Sequence, residues 1–347
     1  MTMATPYVLV IGESLVDVML YPDGVAERPG GSPMNVAVGL ARLGKKVVLA
    51  TWIGQDRRGQ LIKDHLAQSG VELLPGSDQA SHTSAADAFC DAEGNTSYEF
   101  DLEWRMPPLP DRFFEDPPQL VHTGSIAATL DPGATDVLNT VRAFKGRSTI
   151  SYDPNLRPTI VSPQIAISFL VDYVGLADII KASTDDLGLM NRGNGLRAAA
   201  SMHGSGVPMV VVTLGGVGSC GLTNSACVAA RGANVASLQT ASLDELVNGG
   251  DQPAVRLVDT IGAGDAYMAG LLDGISALGF FGAGHRSDIS NLGEKQFSRL
   301  QRYATAASGL CLSRAGADPA WRSELPPFAD EAAWSALPAA ERALPKA

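Results

Sequence analysis

The stretch GGSPMNVAVGLARLGKKVVLATWIG, residues 30–54, decides the fold class: a glycine pair, an amphipathic helix, a glycine stop and a β-branched strand follow one another. Ser32 is placed to cap the helix, Pro33 suits its first turn, and Val36, Leu40 and Leu43 recur at helical spacing before Gly44 ends it. Gly39-x4-Gly44-Lys45 nearly matches a phosphate-binding P-loop, but Lys46 stands where a Ser or Thr is needed. The order is also wrong, since a P-loop runs strand, loop, helix. Working outward, β-branched runs occur at VLVIG (8–12), VVLATWIG (47–54), LVHTG (120–124), STISYD (148–153), ADII (177–180) and MVVVTL (209–214). Helical stretches separate them, one from about Arg57 to Ser69 that stops at Gly70. This alternation predicts an α/β fold: a doubly wound, mostly parallel sheet flanked by helices.

Two segments break the rhythm. Residues 15–30 and 83–104 read as strands joined by Asp-Gly and Glu-Gly-Asn turns, and predict a small β-lid projecting from the main sheet. Residues 231–253 and 282–293 read as loops. The expected organisation is one domain over residues 1–325 with the lid inserted, followed by a tail, 326–347, rich in Ala, Pro and charge, with a helix around 331–337.

The chain has 347 residues, 45% of them hydrophobic and 18% charged, as in an ordinary soluble α/β protein. Its formal charge of -11 repels phosphate backbones and anionic membranes, which argues against nucleic acid or a membrane as partner. An anionic ligand therefore needs a local site of backbone N–H groups and a few cations. Cys90, Cys220, Cys227 and Cys311 show no CxxC pairing and read as small buried residues. His65, His82, His122, His203 and His285 lack metal-ligand spacing. The first residues carry no basic, signal-like region and no segment reaches membrane-span length, so a cytoplasmic location is expected.

Gly216-x-Gly218-x-x-Gly221 fits the dinucleotide fingerprint formally, but the residues after it form a hairpin pattern with no helix for a pyrophosphate to cap. A dehydrogenase reading is rejected on that ground. The chemistry points instead to VDTIGAGDAYMAGLLDGI, residues 258–275, a loop entering a helix of small and apolar residues. The N–H groups of Gly262, Ala263 and Gly264 at the positive end of that helix make a pocket for charge developing on a transferring phosphoryl group. Asp265 at the helix start can accept a proton from an alcohol. It could also be an acid that merely stabilises the helix, but two upstream glycines are costly unless the backbone must approach something.

Four motifs in order, GESLVD (12–17), GGSPMNVAVGLARLG (30–44), DPNLRP (153–158) and DTIGAGDAYMAGL (259–271), make the sequence resemble the ribokinase-like (PfkB) carbohydrate kinases over about residues 8–320. The resemblance implies an ATP-dependent sugar kinase that uses Mg²⁺, and a monovalent cation such as K⁺. Asp265 would be the base and the 262–264 amides the anion hole. Asp17, Gly31 and Asn35 would bind sugar under a closing β-lid, through which two copies could pair. Asp17 could otherwise be a turn acid, and Asn35 part of a cap. Arg157 would reach the phosphate or the sugar, or else pair with Asp153. Ser183 and Asp186 fall on the Asn-x-x-Glu motif that organises Mg²⁺ waters, with Asp186 in a second shell. Thr213, Gly216 and Gly218 resemble the nucleotide turn. Thr305 stands where an Asn often borders adenine.

GGSPMN, DPNLRP and KASTDD are closest to fructokinase-like members of that family. In the lid, YEFDLEW puts Leu102 where an arginine often stands, which disfavours an acid sugar such as 2-keto-3-deoxygluconate, because a carboxylate prefers a bidentate arginine. The competing expectations are a kinase of ribose, 2-keto-3-deoxygluconate or a nucleoside, and a sugar-binding sensor without turnover.

Overall fold

The computed structural model describes residues 6–21, 24–90, 96–190, 194–232 and 257–329. The apolar runs assemble into a nine-stranded sheet. Within it β1 (Val8–Ile11) lies between β4 (Val47–Ala50) and β8 (Leu120–Gly124), and β5 (Val71–Leu73) closes the edge beside β4. On the other side β9 (Thr149–Asp153), β10 (Ile179–Ser183) and β11 (Met209–Thr213) follow in order, all parallel. The antiparallel hairpin of β12 (Gly218–Leu222) and β13 (Cys227–Arg231) finishes that side, in keeping with the hairpin pattern read after the glycines at 216–221.

The parallel strands are apolar on both faces because both faces are covered. Val8, Val10, Leu49 and Val211 pack against α1 (Ser32–Arg42), α8 (Ala263–Ala277) and α10 (Glu294–Leu312). Leu9, Ile11, Val121 and Val210 pack against α4 (Gly133–Phe144), α5 (Pro163–Leu176) and α7 (Gly195–Gly204). Shorter helices sit at the rims: α3 (Arg112–Glu115), α6 (Thr184–Met190) and α9 (Arg286–Ser290). α2 (Arg57–Ser69) starts at an Asp56 cap that accepts from the Gly59 amide, and it stops at Gly70 in the left-handed region. After β1 the chain builds β4 and β5 on one side, then returns to build β8 to β11 on the other. That reversal opens a crevice at the carboxyl ends of β1, β8, β9 and β10, where doubly wound sheets bind ligands.

Both irregular segments enter one four-stranded sheet, ordered β3 (Gly24–Gly30), β2 (Leu15–Tyr21), β6 (Ala85–Cys90) and β7 (Thr96–Asp101). The two hairpins meet through parallel pairing of β2 with β6, and Glu27 of β3 binds Arg57 and Arg58 of α2. Asp23 and the Glu-Gly-Asn turn at 93–95 lie outside the described residues, as do 233–256 and everything after 329.

Three expectations need correction. Ser32 does not cap α1: Gly31, at φ +111°, is the cap residue, and the Ser32 hydroxyl is engaged elsewhere. A serine could not easily take that φ, and a Cβ on Gly31 would stand 2.6 Å from the Glu13 carbonyl. Residues 282–293 are not all loop, because α9 forms there with Arg286 paired to Asp178. Cys220 and Cys311 are buried free thiols, but Cys227 is exposed, since β13 is an edge strand.

One contact sets the distance between α1 and α8. Gly39 faces Ala269 so closely that an added Cβ would come within 2.7 Å of the alanine's own. Gly39→Val should therefore lower stability by about 1–3 kcal/mol, the usual cost of overpacking. A melting temperature equal to the parent's would show that the two helices are free to separate.

Candidate active site

The crevice contains a cavity of about 870 Å³. α8 enters it with its N-terminus, capped by Gly262 at φ +74°. The preceding turn is held from below: Asp259 accepts from the Ile261 amide at 3.0 Å and the Gly316 amide at 2.8 Å, and the Ser308 hydroxyl donates to the Ala263 carbonyl at 2.9 Å. Arg28 of the lid approaches Asp259 at 3.7 Å, so the lid touches the same turn.

Asp265 is buried at the cavity wall, 8% exposed. Its Oδ1 accepts from the Ser32 hydroxyl at 2.6 Å and its Oδ2 from the Asn35 amide at 2.8 Å. Burial raises its pKa above the ordinary aspartate value, against the opposing pull of those two hydrogen bonds, Lys181 and Arg157. Asn35 Oδ1 has no partner and remains available as an acceptor.

The cavity lining includes Asp17, Gly31, Asn35, Arg157, Ser183, Asp186, Thr213, Gly262, Gly264 and Asp265 of the residues that the sequence singles out. Ala263, Gly216, Gly218 and Thr305 are not in that lining. Gly218, at φ +130°, is tied to the hairpin, where a Cβ would lie 2.0 Å from the Ala230 carbonyl. Leu102 is also outside the lining and packs with Leu15, Ala86 and Ile126. Arg157 does not pair with Asp153: it is exposed and its Nη1 donates to the Leu156 carbonyl at 3.3 Å, while Asp153 pairs with Lys181 at 2.7 Å. Both oxygens of Asp186 are engaged within the protein. One accepts from the Leu156 amide at 2.7 Å, the other from the Ser183 amide at 2.9 Å and hydroxyl at 2.6 Å. Asp186 thereby ties the end of β10 to the DPNLRP loop.

Sequence reading misses Glu13, Ser125, Asn155 and Lys181. Glu13 lies two residues past the end of β1 and is 5% exposed; its Oε2 accepts from the Ala127 amide at 2.9 Å. Ser125 and Asn155 take φ of +56° and +36°, uncommon for non-glycine residues, at the ends of β8 and β9, and the Asn155 amide reaches Ser125 Oγ at 3.4 Å. The legible signal was the lysine in the apolar strand sequence ADIIKAS, since lysine is seldom buried without a partner.

Burial pushes Glu13 up to about 7. Asp17 rises to about 6 through burial and its neighbours Asp265 and Asp259, and Asp153 to about 6 through burial that Lys181 only partly offsets. Among the described residues no cluster of His, Cys, Asp or Glu could hold a metal ion, and no helix is long and apolar enough to cross a membrane.

The family model for pfkB family carbohydrate kinases matches residues 5–323. The chain belongs to the pfkB family of carbohydrate kinases. As a member it is an ATP-dependent sugar kinase. A fructokinase of Klebsiella pneumoniae is 31% identical over 285 residues, covering 78% of this chain and 84% of that one. An uncharacterized sugar kinase from Pyrococcus horikoshii, solved in complex with ATP, superposes with a TM-score of 0.69 at 25% identity over 92% of this chain and 96% of that one. A fructokinase from Vibrio cholerae, solved with fructose, ADP and calcium ion, gives 0.67 at 26% identity over 95% and 98% of the two chains.

In this pfkB kinase the raised carboxylate pKa values have a consequence for stability. Glu13 keeps its proton in the folded chain up to about pH 7, whereas the unfolded chain loses it near 4.5. Between those values the folded state binds more protons, so stability from this group falls as pH rises through the window and stays low above it. Glu13→Gln removes the penalty, and at pH 8 the ligand-free variant should be more stable than the parent by at most about 3 kcal/mol, with little difference near pH 4.5. Melting curves at both pH values check this; a variant that gains nothing at pH 8 would show Glu13 to be easily ionised.

Proposed function

We propose that this kinase transfers the γ-phosphoryl group of ATP to a hydroxyl of a neutral sugar, fructose first among candidates, with Asp265 as general base and the amides of Gly262, Ala263 and Gly264 as anion hole. The observation that carries the reading is the placement of Asp265: a buried carboxylate at the N-terminus of α8, in the cavity wall, fixed by Ser32 and Asn35. A carboxylate so held accepts the proton of an alcohol within hydrogen-bond reach. The alkoxide oxygen then bonds to the γ-phosphorus as the bond to the β-phosphate oxygen breaks, releasing ADP. The Gly262 and Gly264 amides would face the charge that develops on the transferring group, whereas the Ala263 amide donates to the Thr260 carbonyl at 3.4 Å and would have to release it to join them.

Asp17, Asn35 and Gly31 form the polar side of the proposed sugar site and Leu15, Ala86, Phe100 and Ile126 its apolar side. Fructose is favoured by the 31% identity to a fructokinase over most of both chains. The cavity lining carries five carboxylates, Glu13, Asp17, Asp185, Asp186 and Asp265, against two cations, Arg157 and Lys181. A nucleotide triphosphate entering so acidic a site needs its charge neutralised. Mg²⁺ carried in with ATP would supply that charge, with Asp186 as the residue that would orient its waters, and a monovalent cation such as K⁺ is part of the same proposal. Val25 and Phe89, 64% and 40% exposed, flank Leu20 across the lid and offer the surface for pairing of two copies.

ADP release in a coupled assay over hexoses, pentoses, keto-acids and nucleosides tests the reading. Turnover should require Mg²⁺ and an added sugar, with kcat/KM higher for fructose than for 2-keto-3-deoxygluconate. ADP formed at full rate without sugar, or none formed with any sugar, would defeat the proposal. Asp265→Asn keeps shape and helix start while removing the proton acceptor, and kcat should fall by about 10²-fold or more with sugar and ATP affinity largely kept. An acid that only stabilises the helix would instead cost about 0.3–1 kcal/mol of stability and leave kcat nearly untouched.

A further inference from the structure

Of the two cations in the cavity lining, Arg157 is exposed and Lys181 is buried, at 5% exposure. Its ammonium lies 2.7 Å from Asp153 Oδ2 and donates to the Gly264 carbonyl at 3.3 Å. A single charged group thus joins β9, β10 and the N-terminal turn of α8. Desolvating an ion pair costs about as much as the pair returns, and apolar residues would hold three elements together as well. Gly264 is open to the ammonium because it has no side chain, and an added Cβ would stand 3.2 Å from Lys181 Nζ.

We propose that Lys181 is a positioning residue for phosphoryl transfer: its ammonium, pinned by Asp153, fixes the Gly262–Asp265 turn through the Gly264 carbonyl and supplies positive potential beside the Asp265 carboxylate. The inference rests on the reading of Asp265 as base. In the step it serves, the acceptor hydroxyl's proton passes to Asp265, the oxygen bonds to the γ-phosphorus, and the bond to the departing ADP breaks.

The surrounding charges agree with that role. Lys181 and Arg157 favour the ionised form of Asp265, while Asp17 and Asp153 oppose it. Burial pulls Lys181 down, but Asp153, Asp265 and Asp186 outweigh it and hold the ammonium above its ordinary range. His122 of β8 is neutral, pushed down to about 3 by burial and by Lys181, and burial pushes the nearby Cys311 thiol up to about 11. Neither adds a competing charge near neutral pH.

Lys181→Met, Asp153→Asn and Asp265→Asn are compared by kcat, sugar KM and the pH profile of kcat. Lys181→Met should lower kcat at pH 7 by about tenfold or more and change KM by less than about threefold, because the loss falls on the transition state. The acid limb of its profile should move up by about one pH unit, the low end of what a neighbouring opposite charge supplies. Asp153→Asn removes a negative charge and should move the same limb down. A merely structural lysine would lower the melting temperature of both variants without displacing their limbs in opposite directions. Lys181→Met with an unmoved limb and kcat within about threefold of the parent overturns the inference, as would limbs displaced the same way. Should Lys181→Met not fold, Lys181→Gln takes its place, and an unmoved limb with kcat within about threefold of the parent overturns the inference. An Asp265→Asn enzyme that still turns over sinks the base reading and this inference with it; an inactive Asp265→Asn beside an unaffected Lys181→Met sinks the inference only.

Discussion

Everything in the cavity depends on one buried carboxylate and the two groups that hold it. Asp265 begins one helix, Ser32 and Asn35 belong to the first turn of another, and the hydrogen bonds between them fix how the two helix starts converge. An aspartate at a helix N-terminus is stabilised by the dipole, yet this one is buried deeply enough that its pKa still rises. The arrangement leaves a carboxyl group of higher proton affinity than an ordinary surface aspartate, in the cavity wall. The Gly39 and Ala269 contact lets the helices lie close enough for it.

Around that carboxylate the topology gathers polar and charged side chains from several strands. Glu13 follows β1, Ser125 follows β8, Asn155 and Arg157 follow β9, and Lys181 lies within β10. Each arrives where the sheet reverses direction, which is why residues spread through the chain share one cavity. The excess of carboxylates costs stability near neutral pH, a common property of sites built to bind rather than to hold the fold. In a chain of charge -11 the cavity lining holds only two cations, Arg157 and Lys181, so on the proposed reading backbone amides supply the rest of the attraction for a nucleotide.

The lid is part of the same economy. Its inner face contributes Asp17, Ala86 and Phe100 to the cavity, its outer face packs Val16 and Val18 into the core, and Glu27 ties it to α2. Arg28 reaches from it to Asp259, which holds the turn before α8.

Local pattern was enough for the architecture. The β-branched runs, the glycine stops at Gly44 and Gly70 and the helix after Gly262 are set by backbone preferences and apolar period, which act over a few residues, so sheet, helices and lid strands were legible in the sequence. The turn carrying Asp265 was legible for the same reason, since its glycines and its acid are neighbours. Tertiary structure alone decided the partners. Ser32 reads as a helix cap and instead donates to a carboxylate 233 residues away; Arg157 could have met Asp153, but Lys181 is there first. Gly216 and Gly218 match their motif positions and Thr305 stands where an Asn is usual, yet none of the three is in the cavity lining, and Glu13 gave no local sign of its burial. Hydrogen bonds and ion pairs form between whatever side chains the folded backbone brings within about 3 Å, and no period in the sequence records that encounter.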